Sequence, residues 1–462
     1  MTAGKKLKVV VCGGGIGGLT FALALSKYPN VSVDIYEAAS RFSPIGAGIG
    51  IWMRVWNILS RLGLDELADK TFPKPSNDPV HAFTFRKSDE PEGIEYYNLM
   101  TKGPFMTFLR YDFQKAMLEH LPRETKIHYS RRFTSYTRLP SGEVHVSFQD
   151  GLQVTCDLLV GADGIKSSVR RVFLEDLAQQ AIHRGDVEEA EVLRNSYDPV
   201  WNGTEAYRGL VRVENVRSLI DEGSLKIPEF PTQYMGKNAN MIIYPVANGT
   251  LVNIAAFRAQ LHLANTKFEG PWVTPADPEE LLSVFEKWEP HARNWLRCLE
   301  RPTRWAVHTV KPLKSFVTQG VVLIGDAAHA MAPHQGSGAG QAMEDAYFLG
   351  TLLGHPLTTA KALPYILKIY DQFRRPFATD VARRSLLNGR FYTFNEDEFD
   401  YDSCYQAEKQ ARLKKKGEAI SENWAWAWST SIDDDMGKAM AMLKNHLSDS
   451  ESSPILPANK QV

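Results

Sequence analysis

The sequence predicts an α/β protein in which a parallel-sheet domain is interrupted by a β-rich domain and followed by a helical C-terminal region. Residues 9–19, VVVCGGGIGGL, place three β-branched residues before Gly13, Gly15 and Gly18 in G-x-G-x-x-G spacing. The apolar run LTFALAL (19–25) follows at once, giving a strand, a glycine turn and a helix. A second strand, glycine turn and helix, VVLIGDAAHAMAPHQGSGAGQAMEDAYFLGTLLG (321–354), recurs after a β-rich middle, so the chain returns to its first domain.

Each element has a local reason. Glycines in the first turn leave backbone N–H groups free to meet a pyrophosphate, which side chains there would obstruct. In VSVDIYE (31–37), Val31, Val33 and Ile35 alternate with polar residues; Asp34 reads as one of these. The run ends at Glu37, 19 positions after Gly18, where a carboxylate can accept hydrogen bonds from a ribose. RFSPIGAGIGIW (41–52) carries Gly46, Gly48 and Gly50 and leads into a helical pattern through Val55, Leu59 and Leu62; it either approaches the bound dinucleotide or is a plain turn. Residues 72–104, richer in Pro, Asp and charge, read as an excursion. MTFLRYDFQKAMLEHL (106–121) predicts a helix with Phe113, Met117 and Leu121 on one face. Arg110 at its start has the wrong sign for the helix dipole, so an anionic or polar partner is expected.

Three strand-like segments over 125–164 read as hairpins, 174–200 as charged helix, and Trp201 to about Arg258 as the β-rich second domain. Helices around 278–300 and a strand near 305–309 precede the second glycine turn. From about 360 the chain is helical. KQARLKKKG (409–417) reads as a solvated face, and the Ser- and Pro-rich tail from Ser448 as disordered.

Composition narrows the function class. The 462 residues are 44% hydrophobic and 23% charged with a formal charge of −1, which implies neither a nucleic-acid surface nor an acidic tail; small ligands are expected. Cys12, Cys156, Cys298 and Cys404 lack metal-type spacing and suit a reducing compartment, so a cytoplasmic location is expected. The apolar N-terminal stretch is read as the first βα unit rather than a signal peptide, and no apolar run reaches the roughly 18 residues of a membrane span.

LLVGADGIKSSVR (158–170) and GDAAHAMAPHQGSGAGQAME (325–344), taken with GGGIGG, resemble the three signature motifs of the single-component flavoprotein aromatic hydroxylases over roughly residues 5–385. The wording of the third is most similar to salicylate hydroxylases and related fungal enzymes. The resemblance implies a Rossmann-type, GR2-like FAD-binding domain from 1–75, 105–175 and 305–375. It also implies a substrate domain from 76–104 and 176–304, a C-terminal helical region at 376–447 and a tail at 448–462. Cofactor and co-substrates would be FAD, NADH or NADPH, and O2, with a monomer or homodimer expected.

Residue by residue, the resemblance assigns Asp326 to a ribityl hydroxyl, Glu37 to the adenosine ribose, Arg110 to the flavin pyrophosphate region, and backbone at Gly50 and Ala339 to the cofactor. Gly336, Gly338 and Gly340 would bring a helix N-terminus, with its N–H groups and dipole, to the reduced, anionic ring. Asp163 and Gly164 would serve both flavin and nicotinamide, which accounts for the lack of a second G-x-G-x-x-G unit. Trp52 and Met53 depart from the family pattern, where smaller residues or proline are usual.

The oxygen donor implied by the family, a flavin C4a-hydroperoxide, is an electrophile, so the ring it attacks is best held as a phenolate, by a base or an anion-stabilising cation. Arg208 and Tyr244 match positions that bind the phenolate in related fungal hydroxylases, and His334 would sit beside the flavin; each could equally be an ordinary structural residue. His329 reads as structural. The leading expectation is decarboxylating hydroxylation of a salicylate-like phenolic acid. Dearomatising hydroxylation of a polyketide resorcinol, a flavin oxidase without hydroxylation, and a non-enzymatic escort of the GDI type are the alternatives.

Overall fold

The structure is a computed structural model and describes residues 6–42, 48–71, 73–401 and 403–452. Its first sheet has six strands in the order Val317–Thr318, Val321–Leu323, Leu158–Gly161, Leu7–Cys12, Val31–Tyr36 and Lys126–His128. All neighbours are parallel except the first pair. Val9, Val10 and Val11 are fully buried, as a central parallel strand covered on both faces requires. The carboxyl ends of three adjacent strands bring Gly13, Asp163 and Asp326 to one edge of this sheet, where ligands bind in open α/β folds. The two helices that follow glycine turns, Ile16–Leu25 and Gly338–Leu353, pack on each other with Ala24 against Gly350.

The second sheet has eight strands, in the order Val273–Pro275, Thr303–Thr309, Val200–Arg212, Leu251–Ala259, Ala239–Val246, Thr232–Gly236, Pro79–Lys87 and Ile94–Lys102. Only the pairing of Thr232–Gly236 with Pro79–Lys87 is parallel. Side chains alternate between two faces. One face buries Tyr207, Ile243 and Ile254 with Phe285 and Trp295 from the helical segments 278–297; the other floors a cavity.

Four segments differ from the sequence reading. Within 125–164 only Phe133–Arg138, Val144–Phe148 and Gln153–Cys156 pair as hairpins, while Lys126–His128 and Leu158–Gly161 are parallel strands of the first sheet, whose partners are remote in the chain. Met106–Leu109 is a strand paired with Gly48–Ile51, and the helix begins only at Arg110, because the ribbon partner comes from a segment nearly sixty residues earlier. Residues 43–47, including Gly46, lie outside the described residues. The basic run 409–417 is not a solvated face throughout: Lys409 and Lys416 are buried on the same stripe of helix Gln406–Trp424 as Leu413, Ile420 and Trp424. Glu90 accepts from Lys409 at 2.7 Å, and Glu396 pairs with Lys416, which the rings of Phe394 and Tyr401 enclose. Ser448 begins no disordered tail, since helix Asp433–Ser452 runs through it; residues 453–462 lie outside the described residues.

Four of the expected domain boundaries cut elements: 175/176 falls in helix Ser168–His183, 304/305 in strand Thr303–Thr309, 375/376 in helix Leu363–Tyr392 and 447/448 in helix Asp433–Ser452. Among the described residues no helix is long and apolar enough to cross a membrane, and no cluster of metal-type side chains occurs.

Candidate active site

Two cavities meet at Lys166 on the sheet edge. The smaller, about 250 Å³, is lined by Gly13, Gly15, Glu37, Arg110, Asp163 and Gly164 among others. Gly13 has φ of 107°, and a Cβ there would collide with the Ala162 carbonyl; Gly18 faces the Gly13 carbonyl just as closely. Gly15 is different. A Cβ built on it meets no atom within 4 Å, and it caps a helix whose first turn carries no acidic residue and no side-chain cap. That open, donor-rich helix end fits a pyrophosphate.

The carboxylate of Glu37 accepts from Gly14 N at 2.7 Å and Ala39 N at 2.8 Å, which leaves acceptor capacity for a ribose. Arg110 opens helix Arg110–Glu119, is exposed, and makes no ion pair with a carboxylate among the described residues. Asp163 is committed locally: it accepts from the Ser167 hydroxyl and from Ser168 N and Val169 N at 2.8 and 3.1 Å, capping helix Ser168–His183. Burial pushes its pKa up.

The larger cavity, about 570 Å³, lies between the eight-stranded sheet and a roof from Gly48, Gly50, Phe105, residues 330–336 and Ala339. Asp326 stands at its edge; it is open to the cavity yet set in dense protein, and burial raises its pKa against the pull of His329 and Arg110. Gly338 and Ala339 begin a 16-residue helix with no side-chain cap and no acid in its first turn, and a Cβ on Gly338 would meet nothing nearer than 3.8 Å. This is a second helix end with room beside it. Gly50 has a close-approach role, because Phe105 occupies the space its Cβ would need, and a Cβ on Gly48 would sit 2.9 Å from the Tyr244 hydroxyl.

Arg208, Tyr244 and His334 all line this cavity. Burial lowers the pKa of Arg208 while Tyr244 supports its charge, and burial raises that of Tyr244 while Arg208 opposes the rise. Arg208 Nε has no hydrogen-bond partner. The His334 imidazole is packed against Gly389, Phe257 and Tyr392; burial pushes its pKa down to about 4, so it is neutral at pH 7, and its Nδ1 is also without a partner. A cavity of this size, mostly apolar with a few polar side chains in its lining, is of the kind that small ligands occupy.

Beneath helix Gly338–Leu353 lies a buried ion network that the sequence reading missed. Arg54 donates to Glu344 at 2.8 and 3.0 Å, and Arg374 donates to Glu344 at 2.8 Å, Asp345 at 2.9 Å and Gln341 at 2.7 Å. Asp345 also contacts His329 Nε2 at 2.6 Å and accepts from Gly325 N at 3.0 Å. Although burial opposes it, these cations hold both carboxyls below their ordinary range. The network ties the Gly325–Asp326 turn to the helix end, and it gives His329 the structural place expected of it. The signal in the sequence is an acidic pair, Glu344 and Asp345, inside an otherwise apolar helix.

The FAD binding domain family matches residues 6–198 and 299–385. A salicylate hydroxylase of Pseudomonas putida is 36% identical over 402 residues, covering 84% of this chain and 86% of that one. An FAD-dependent monooxygenase of Strobilurus tenacellus is 32% identical over 475 residues, covering 97% and 100%. The solved substrate complex of a salicylate hydroxylase superposes with a TM-score of 0.78 at 30% identity, over 94% of this chain and 98% of that one. With the glycine turns, the open helix ends and Asp326 on one sheet edge, these likenesses place the chain in the FAD-dependent aromatic hydroxylase family, as a flavoprotein monooxygenase.

Proposed function

We propose that the protein uses FAD, NADH or NADPH, and O2 to hydroxylate a salicylate-like phenolic acid, with loss of its carboxyl group, and that Arg208 and Tyr244 hold the substrate as its phenolate. The observation that carries this reading is the pairing of Arg208 with Tyr244 in the lining of the cavity that also receives Asp326 and the helix end at Gly338 and Ala339. FAD would be held by backbone at Gly13, Gly15, Gly18, Gly50, Gly338 and Ala339, by Glu37 and Asp326 on its hydroxyls, and by Arg110 on its pyrophosphate. Asp163 acts from behind, by fixing the turn that carries Gly164. The bound flavin supplies the activated oxygen.

The protein's part is to present an electron-rich ring. His334, with a pKa of about 4, is too weak a base to keep the proton of a phenol whose own pKa lies near ~10. Stabilising the anion is therefore the effective route, and a guanidinium supplies it by charge. Tyr244, its pKa raised by burial, keeps its proton and can donate to the phenolate oxygen. His334 serves as a neutral hydrogen-bonding wall.

The reading includes a cytoplasmic location, which four unbridged cysteines suit, and a monomer or homodimer. It divides the chain into a discontinuous FAD-binding domain, an inserted substrate domain and a helical C-terminal region, with boundaries moved to the ends of the elements they cut. Incubation with salicylate, oxygen and each nicotinamide tests it. Catechol and carbon dioxide in step with coenzyme oxidation are expected; a quinol or dienone from a resorcinol, with salicylate inert, would overturn it.

A further inference from the structure

We propose that Gly48, Thr107 and Asn253 are positioning residues for the hydroxylation: they fasten the ribbon formed by Gly48–Ile51 and Met106–Leu109 to the strand that carries Tyr244, and so set where the tyrosine hydroxyl stands against the substrate. This deepens the proposed function and rests on its assignment of Tyr244.

The two strands of the ribbon pair antiparallel, with Gly48 opposite Leu109 and Gly50 opposite Thr107. Gly48, Ile49 and Gly50 line the roof of the larger cavity, while Arg208, Tyr244 and Ala255 line it from the eight-stranded sheet. An isolated two-stranded ribbon is marginal in water, so its place depends on what it is tied to. Both strands are tied to the same spot. From one, the Thr107 hydroxyl donates to the Pro245 carbonyl at 2.9 Å; from the other, Gly48 N donates to Asn253 Oδ1 at 3.3 Å. Pro245 follows Tyr244 in the chain, and Asn253 is the residue directly opposite Tyr244 in the antiparallel pair, on the same face of the sheet. Thr107 and Asn253 are 1% and 2% exposed, so loss of either bond leaves a buried polar group unmet.

The third contact is steric. A Cβ on Gly48 would lie 2.9 Å from Tyr244 Oη and 3.1 Å from its Cε2. The backbone of Gly48 is that of an ordinary strand, which alanine adopts as readily, so the tyrosine ring and not the main chain is what requires glycine here. The missing side chain gives the Tyr244 hydroxyl its place, and the two hydrogen bonds hold the ribbon over it. Reacting atoms must meet within roughly 3–3.5 Å, and a misplacement of about 1 Å costs on the order of a hundredfold in rate, so a fastening at this point acts on coupling more than on affinity.

The test combines calorimetric titration of the FAD-loaded enzyme with salicylate, in the absence of nicotinamide, and the ratio of product formed to NAD(P)H consumed. Gly48→Ala is expected to weaken salicylate about tenfold in the wild-type background but about twofold or less in Tyr244→Phe, where the crowded hydroxyl is gone; a merely structural glycine would cost the same in both. Thr107→Val, which keeps the shape and removes the hydroxyl, and Asn253→Ala are each expected to change salicylate affinity by about threefold or less while the product ratio falls at least severalfold. Flavin absorbance after dialysis and thermal melting identify folded, loaded protein, and three independent positions keep the test decisive if one variant fails. Additive effects of Gly48→Ala and Tyr244→Phe, with wild-type product ratios in Thr107→Val and Asn253→Ala, would overturn this inference and leave Tyr244 in the site. Wild-type affinity and coupling in Tyr244→Phe would overturn the assignment of Tyr244 and this inference with it.

Discussion

Under helix Gly338–Leu353, Arg54, Arg374, Glu344 and Asp345 are almost completely buried and each is bonded to the others or to neighbouring polar groups. Across the larger cavity, Arg208, Asn240, His334 and Trp424 are enclosed too, yet each keeps a nitrogen with no acceptor. Asn240, His334 and Trp424 are buried as deeply as the first group and Arg208 somewhat less, yet their bonding differs. Unmet buried donors are costly, so a fold retains a group of them where a ligand completes them. The first region fixes the backbone turn that carries Asp326; under the proposed function the second is kept for the substrate.

The comparison is broken most severely on its satisfied side. Arg374→Ala leaves Glu344 and Asp345 with uncompensated buried charge, and a loss of about 3–5 kcal/mol in stability is expected by denaturant unfolding. A change below about 1 kcal/mol would mean that the pairs are not what holds this helix. Next in size is a pH effect at His334. Its folded pKa of about 4 lies below the ordinary 6.5, so the unfolded chain takes up a proton first as pH falls. Stability present above pH 6.5 is therefore lost progressively toward pH 4, by up to about 3 kcal/mol from this group. His334→Asn should remove that part of the slope, and an unchanged pH profile in the variant would refute the assignment.

Asp326→Ala should fold and lose FAD on dialysis, since a charged acceptor for a flavin hydroxyl is worth roughly 1.5–3 kcal/mol. Glu37→Ala should weaken FAD less, because two backbone N–H groups already share its carboxylate. Equal retention of FAD by wild type and Asp326→Ala would remove Asp326 from the site.

How far the sequence could be read follows from the range of each interaction. The placement of Gly13, Gly15, Gly18 and Glu37 at the first strand-to-helix turn was legible because such a turn encodes itself in local spacing, and that of Asp326 because its strand and glycine turn are contiguous. Met106–Leu109 was read as helix because its strand partner is remote in the chain. Lys409 and Lys416 were read as solvated because their acidic partners, Glu90 and Glu396, come from other segments. Arg208 and Tyr244 came only from resemblance. Asn240 and Trp424 carried no signal, since nothing local distinguishes an unmet amide or indole from a satisfied one.

The central claim is that the unpaired groups of the cavity act on the substrate and not on the fold, and Arg208 tests it most directly. The measurement is the ratio of oxygenated product to NAD(P)H consumed in Arg208→Ala, with Tyr244→Phe beside it. The account predicts full FAD retention, stability equal to wild type, a ratio that falls at least severalfold, and hydrogen peroxide in place of the missing product. Wild-type coupling in both variants would contradict it.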